Sequence, residues 1–374
     1  MAKYPTKKLG EVADYINGRA FKPTEWGEIG LPIIRIQNLT ETQEKFNYFN
    51  GKLEDRYLVK NGDILLSWSA SLGVYIWDKG DAALNQHIFK VIPHKDINKS
   101  YLFYSLIVAV EELKRRVHGS TMTHVTKPVF NRVTTKVPPL QIQKQIVERM
   151  DKIVEAQKLN DEFIQKSDEL FQSLLHQELN PGGKDWEIKS IGEVCKIVGG
   201  GTPSREELKH FKGEIPWVTV KDLHVLEIED TLEHINKESL KNCAANLVPA
   251  NTVLVATRVG LGKVAIARKP LTFNQDIKGL IANDNIDAGY LFYIVLKNAG
   301  KIEKNGKGAT VKGVTQEFLK SIKIPLPPLQ TQKQIVAKLS AAQDYKKQLL
   351  AQKSLLKELF DSVLAKCMAG KLIN

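Results

Sequence analysis

Apolar residues recur at helical spacing through two long stretches of the chain. In the first they fall at Ile142, Ile146, Met150 and Ile153, then at Phe163, Ile164, Leu170, Phe171 and Leu174. In the second they fall at Ile335, Leu339, Leu349, Leu355, Leu356, Leu359 and Val363. Such spacing lays a stripe along one face of an α-helix. Neither Leu140–Leu179 nor Leu329–Ala369 contains a glycine or a proline. Asn180–Pro181–Gly182–Gly183 is a strong stop after the first, and Gly370 sits where a helix cap would after the second. About 40 residues at ~1.5 Å each predict helices on the order of 60 Å long. Helices of that length need a partner helix; the other reading is two ordinary core helices. Each has a more polar middle, Gln157–Glu162 and Gln343–Gln348. The heptad is imperfect, so a locally irregular coiled coil is expected, with apolar surface to spare for another subunit.

Outside these stretches the pattern changes to short apolar runs between turns. Leu31–Leu39 (LPIIRIQNL) reads as a strand with Arg35 and Gln37 on one face and Ile34 and Ile36 on the other. Asn61–Gly62–Asp63 is a turn before the apolar strand Ile64–Leu66, and Tyr101–Val117 is an amphipathic helix. Gly119–Lys127 is a hydroxyl-rich loop.

The whole plan occurs twice. PPLQIQKQIV at Pro138–Val147 returns as PPLQTQKQIV at Pro327–Val336, with nine of ten residues matching at an offset of 189. Tyr101–Tyr104 (YLFY) returns as Tyr290–Tyr293, and Asn85–Gln86–His87 is answered by Asn274–Gln275–Asp276, both at the offset of 189. LGEV at Leu9–Val12 is answered by IGEV at Ile191–Val194, and LPIIRIQNL by IPWVTVKDL at Ile215–Leu223. A period this long marks a duplicated unit of domain size. The expected layout is α+β: a globular domain at 1–137, a long helix at 138–182, a similar domain at 183–326 and a second long helix at 327–374.

Charge adds a partner to this picture. The formal net charge is +12, which suggests a polyanion. Residues 1–136 carry 20 Lys and Arg against 14 Asp and Glu, and residues 181–325 carry 21 against 17. The helical stretches have opposite signs, 5 against 8 in 137–180 and 8 against 3 in 326–374, as expected if they lie against each other. The three cysteines, Cys195, Cys243 and Cys367, are far apart, which suits a reducing cytoplasm and argues against zinc. No run approaches eighteen apolar residues, so no membrane span is expected.

Catalytic motifs do not emerge. Gly262–Lys263 lacks the preceding glycine and the following Ser or Thr of a phosphate loop, and HExxH and GxSxG are missing. Asp185–Trp186–Glu187–Ile188–Lys189 holds an ExK at a strand start, better read as structural than as a nuclease site.

The loops instead carry the chemistry of DNA contact, in which Arg reads guanine, Asn or Gln reads adenine, and Lys, Ser and Thr hold phosphates. The candidates in the first region are Arg19, Lys22, Arg35, Gln37, Asn38, Ser67, Ser69, Asn85, Gln86 and His87. In the second they are Thr202, Ser204, Thr219, Lys221, Thr257, Arg258, Lys263, Asn274 and Gln275. For any one of them, a solvated side chain or a structural turn is the competing reading.

The doubled PPLQxQKQIV, each copy opening a long helix, with LGEV and GDILLSWSASLG ahead of it, resembles the specificity subunit of type I restriction–modification systems. The resemblance covers nearly the whole chain. It implies two target recognition domains, held apart by two antiparallel helices with a pseudo-two-fold internal repeat, that read the halves of a bipartite, asymmetric site in double-stranded DNA. It also implies a non-catalytic, cytoplasmic chain that binds no cofactor of its own. S-adenosylmethionine would be held by a partner modification subunit that methylates adenine, and ATP and Mg by a motor-nuclease (restriction) subunit where one joins. A non-catalytic scaffold whose two domains bind proteins, and a self-contained methyltransferase, are the alternatives.

Overall fold

The computed structural model describes residues 4–69, 71–117, 130, 132–308 and 313–371. The hydroxyl-rich loop at Gly119–Lys127 lies outside them. The chain divides into two compact units: Met1–Asp161 with Ala351–Asn374, and Glu162–Leu350. Each unit thus joins one globular repeat to the start of the helix that follows it and to the end of the other helix.

The first unit contains strands β1 (Thr6–Lys8), β2 (Ala13–Asn17), β3 (Leu31–Ile34), β4 (Asn47–Phe49), β5 (Leu58–Val59), β6 (Ile64–Ser67), β7 (Gly73–Ile76), β8 (Ala82–Leu84) and β9 (Ile88–Pro93). Helix α1 (Lys99–Val117) and strand β10 (Thr134–Lys136) complete the repeat before the long helix α2 (Leu140–Glu178). One sheet has the order β2–β9–β6–β7 and the other β4–β3–β8–β5, with β3 parallel to β8. Strand β6 explains the layering. Ile64 and Leu66 pack with Leu102, Leu106, Val110 and Leu113 of α1, while Leu65 packs with Ile34 and Leu84 of the other sheet and with Trp77, which follows β7. Covered on both faces, the strand reads as a continuous apolar run rather than an alternating one.

The second unit repeats this with β11 (Glu187–Ser190), β12 (Cys195–Gly199), β13 (Ile215–Val218), β14 (Glu227–Ile228), β15 (His234–Ile235), β16 (Val253–Ala256), β17 (Val264–Ala267), β18 (Thr272–Phe273), β19 (Ile277–Ala282), α3 (Ala288–Lys297), β20 (Lys323–Leu326) and α4 (Leu329–Met368). Its main sheet runs β12–β19–β16–β17–β14, so β14 is a fifth strand without a counterpart among the described residues of the first unit. Val253 and Val255 face the α3 side, and Leu254 faces Val218 and Phe273.

The doubled PPLQxQ sequence has a physical reason. Gln143 is fully buried, and its side-chain oxygen accepts from the Asn98 backbone N–H at 2.7 Å. Its amide donates to Asp96 O at 3.2 Å and Pro138 O at 2.8 Å. Gln332 does the same with Asp287 N (2.7 Å), Asn285 O (3.2 Å) and Pro327 O (2.8 Å). One side chain therefore ties the root of a long helix to the loop that starts the preceding helix and to the segment that enters it. Tyr101 and Tyr290 add a second tie, donating to Lys136 O at 2.6 Å and Pro325 O at 2.9 Å.

Within each unit the two long helices run antiparallel. In the first, Ile146 and Met150 of α2 meet Leu364, Cys367 and Met368 of α4 around Tyr101 and Tyr104, and Asp161 pairs with Lys353 at 2.7 Å. In the second, Phe171, Leu175 and Leu179 meet Ile335 and Leu339. There Asp168 pairs with Lys346 at 2.5 Å and Glu178 with Lys338 at 2.8 Å. Numbers that rise along α2 fall along α4, and the acid-rich and lysine-rich helices supply opposite ends of each pair.

Candidate nucleic-acid interface

In both units the candidate segments converge on the end of the parallel strand pair. Ile34 registers with Leu84 where the pair ends, and Asn85 beyond it is bridged to Arg19. Arg19 N donates to Leu84 O, and Gln86 N to Arg19 O, both at 2.9 Å. Gly18 makes this possible, because a Cβ there would lie 2.0 Å from the Asn85 carbonyl oxygen. Trp68 N donates to His87 O at 3.1 Å and draws the tip of β6 to the same edge. In the second unit Val218 registers with Phe273, and Asn274 N donates to Val218 O at 2.9 Å. A Cβ on Gly200 would lie 2.1 Å from the Asn274 carbonyl oxygen, and Thr257 N donates to Asp276 O at 2.8 Å. Thr202 donates its hydroxyl to the Gln275 side chain.

The expected strand through Leu39 is corrected. Strand β3 ends at Ile34, and Ile36–Leu39 forms one helical turn with Arg35 at its N-cap. The reason is Asn38, whose side-chain oxygen accepts from Arg35 N at 3.0 Å. The apolar alternation favours a strand, but a short polar side chain bonded back to a free N–H stops it. Arg35 and Gln37 consequently do not share a strand face. The Arg35 guanidinium lies 5.4 Å from the Trp26 ring centre, and Gln37 is exposed on the turn. The second unit builds the same turn at Thr219–Asp222, with Lys221 exposed.

The remaining candidates separate by exposure. Lys22, Gln86, Thr202, Ser204, Arg258, Lys263 and Gln275 are exposed. Arg19, Asn85, His87, Thr219 and Asn274 are half-buried, and Asn38, Ser67, Ser69 and Thr257 are buried. Ser67 donates to the Ser71 carbonyl, and the Thr257 hydroxyl to Asp276 O at 3.2 Å. Asn274 accepts from Asp276 N at 3.1 Å, and Arg258 sits 3.7 Å from the Asp276 carboxylate. His87 holds a positive φ of 71° and packs edge-on against Trp68. Trp68 in turn stacks on Phe89, packed against the core.

Arg19 is clamped between the Phe21 and Phe49 rings, 4.7 and 4.9 Å from their centres, and pairs with Glu25. The Lys22 backbone N–H and the Arg19 guanidinium hold the Glu25 carboxyl below the usual range. Sequence reading missed the corresponding clamp in the second unit. Arg205 lies 4.4 Å from the Phe211 ring centre and 5.1 Å from that of Trp217, and pairs with Glu233. Its bond to Glu233 raises the arginine's pKa and lowers the glutamate's. An arginine framed by aromatic residues was the available signal, but its partners are 6 to 28 positions away in sequence. Among the described residues no group of three or more His, Cys, Asp or Glu could hold a metal ion.

The sequence profile of the type I restriction modification DNA specificity domain matches residues 1–166 and again residues 183–356. The MjaIX specificity subunit of a type I restriction enzyme from Methanocaldococcus jannaschii is 34% identical over 166 residues, 43% of this chain and 38% of that protein. That match spans well under two-thirds of the relative. The EcoR124I/EcoR124II specificity subunit from Escherichia coli is 26% identical over 279 residues, 70% of this chain and 68% of its own. A chain solved in a study of complex assembly and conformational transition of the type I R-M system superposes with a TM-score of 0.70. It is 20% identical, with 99% of this chain and 98% of that one covered, so the likeness concerns the fold.

Proposed function

Because the chain belongs to the type I restriction–modification DNA specificity family, we propose that it reads a bipartite, asymmetric site in double-stranded DNA for a modification complex. The chain is the non-catalytic recognition subunit. Modification subunits bring S-adenosylmethionine and methylate adenine at the site it selects. Restriction subunits, where they join, bring ATP and Mg and the motor and nuclease activities. The setting is cytoplasmic; among the described residues no helix is long and apolar enough to cross a membrane.

The observation that carries this reading is the same fold built twice with a common frame and two different polar edges. The exposed side chains at one edge include Gln37 and Gln86, and at the other Lys221, Arg258, Lys263 and Gln275. Different hydrogen-bonding groups on equivalent edges suit two unlike half-sites. The basic excess of both globular repeats supplies the salt-dependent attraction to phosphates. A scaffold that binds two proteins gives no reason for the edges to carry Arg, Asn, Gln and Lys around one strand end.

The helix pair acts as a ruler between half-sites. The test is to insert one helical turn after Asn160 and another after Lys353, opposite each other in the antiparallel register. About four residues add ~6 Å, and at ~3.4 Å per base pair the spacer should lengthen by one to two base pairs. Sequencing the methylome of a host that makes the variant with its modification partner reads the result. Both half-sites should persist at the longer spacing; an unchanged spacer would end the ruler reading.

A further inference from the structure

The two reading turns are built alike but wired with opposite polarity. At Asn38 the side-chain oxygen accepts from Arg35 N, and the amide donates to Gln43 O at 3.0 Å and Lys45 O at 3.1 Å. At Asp222 one carboxylate oxygen accepts from Thr219 N at 2.7 Å and from the Thr219 hydroxyl at 2.8 Å. The other accepts from Leu232 N at 3.1 Å. Both residues are 5% exposed. The loop that returns past the first turn therefore presents two carbonyls, and the loop past the second presents an N–H. An amide can meet carbonyls; a carboxylate can only accept.

We infer that Asn38 and Asp222 are positioning residues for DNA reading, each matched by its polarity to its own returning loop so that Arg35 and Gln37, or Thr219 and Lys221, are held at the reading edge. The inference rests on the proposed DNA-reading function. It follows that the exposed residues of one turn can be moved to the other unit only if the resident cap stays behind. An aspartate at position 38 would turn its second oxygen onto the Gln43 and Lys45 carbonyls. Buried acceptors facing one another have no proton to share, and the turn must open. An alanine there removes the partner of Arg35 N–H and of the Gln43 and Lys45 carbonyls but sets no acceptor against those carbonyls.

The test uses the full chain produced with its modification partner, with methylated sites mapped by sequencing. The graft R35T/I36V/Q37K, which keeps Asn38, should still methylate, with the second half-site and the spacer unchanged and the base preference of the first half-site altered. Adding N38D to that graft should lower methylation at least ten-fold. In the otherwise native chain, N38D should reduce methylation more than N38A, although aspartate is the closer match in shape. If shape alone mattered the order would reverse, and N38D ranking above N38A, or the two grafts performing equally, would overturn the inference. A native chain that yields no bipartite motif would instead remove the DNA-reading function itself.

Discussion

Gln143 and Gln332 hold the same three backbone groups, 189 residues apart, with hydrogen bonds that agree in length. A few residues away the agreement stops. Tyr104 donates to the Asp151 carboxylate at 2.7 Å, whereas its counterpart Tyr293 donates to the Gln343 side chain at 3.1 Å. The ends of the long helices are tied by lysines from unrelated positions: Lys136 donates to Ala369 O in the first unit and Lys297 to Leu179 O in the second. At the candidate edge even the polarity of the capping residue changes. Identity is thus kept where a side chain must satisfy fixed backbone groups, which offer one geometry. It is relaxed where two side chains can adjust to each other, and lost at the edge proposed to face DNA.

That gradient can be broken at its strongest point. Gln332→Leu removes the partners of two carbonyls and one N–H in the interior. At about 1–3 kcal/mol for each buried group left unsatisfied, a loss of at least ~3 kcal/mol is expected in urea unfolding. Gln143→Leu should cost a similar amount, and a difference of more than about 2 kcal/mol between them would show that the two roots are not equivalent. The tyrosine pair gives a smaller and deliberately unequal effect. Tyr104→Phe removes a bond to a carboxylate and should cost ~1.5–3 kcal/mol, against ~0.5–1.5 kcal/mol for Tyr293→Phe. Equal shifts in the unfolding midpoint would erase the distinction. The smallest effect belongs to the interhelical ion pairs. Lys353→Ala and Lys346→Ala each remove a partly exposed pair, so a change of ~1 kcal/mol or less is expected. The change should shrink further at high salt, and one that survives molar salt would point to packing by the lysine stem instead.

The parts of the fold legible in sequence were those set by long periodicities. The two helices, the duplication and the apolar strand at Ile64–Leu66 could be read because many residues repeat one constraint. The turn at Ile36–Leu39 was misread for the opposite reason. The five apolar residues of Leu31–Leu39 outvote one Asn when the stretch is read as a strand, yet a single hydrogen bond to a free N–H decides the backbone. Strand β14 was missed because it has only two residues and takes its place from a parallel neighbour, β17, nearly forty positions away. The candidate edge was visible as a set of residue types, whereas exposure was not. Asn38, Ser67, Ser69 and Thr257 look like their exposed neighbours in sequence, and only the fold shows that they are buried.

The first unit is closed by Ala351–Asn374, a stretch made only after the second repeat. A growing chain leaves the ribosome with Tyr101, Ile146 and Met150 uncovered, and the residues that cover them, Leu364, Cys367 and Met368, emerge only after the second repeat has been synthesised. The first unit is therefore completed only after the second repeat has been made. A stop codon between those for Leu350 and Leu364 would strip the first unit of its cover while leaving every residue of the second unit in place.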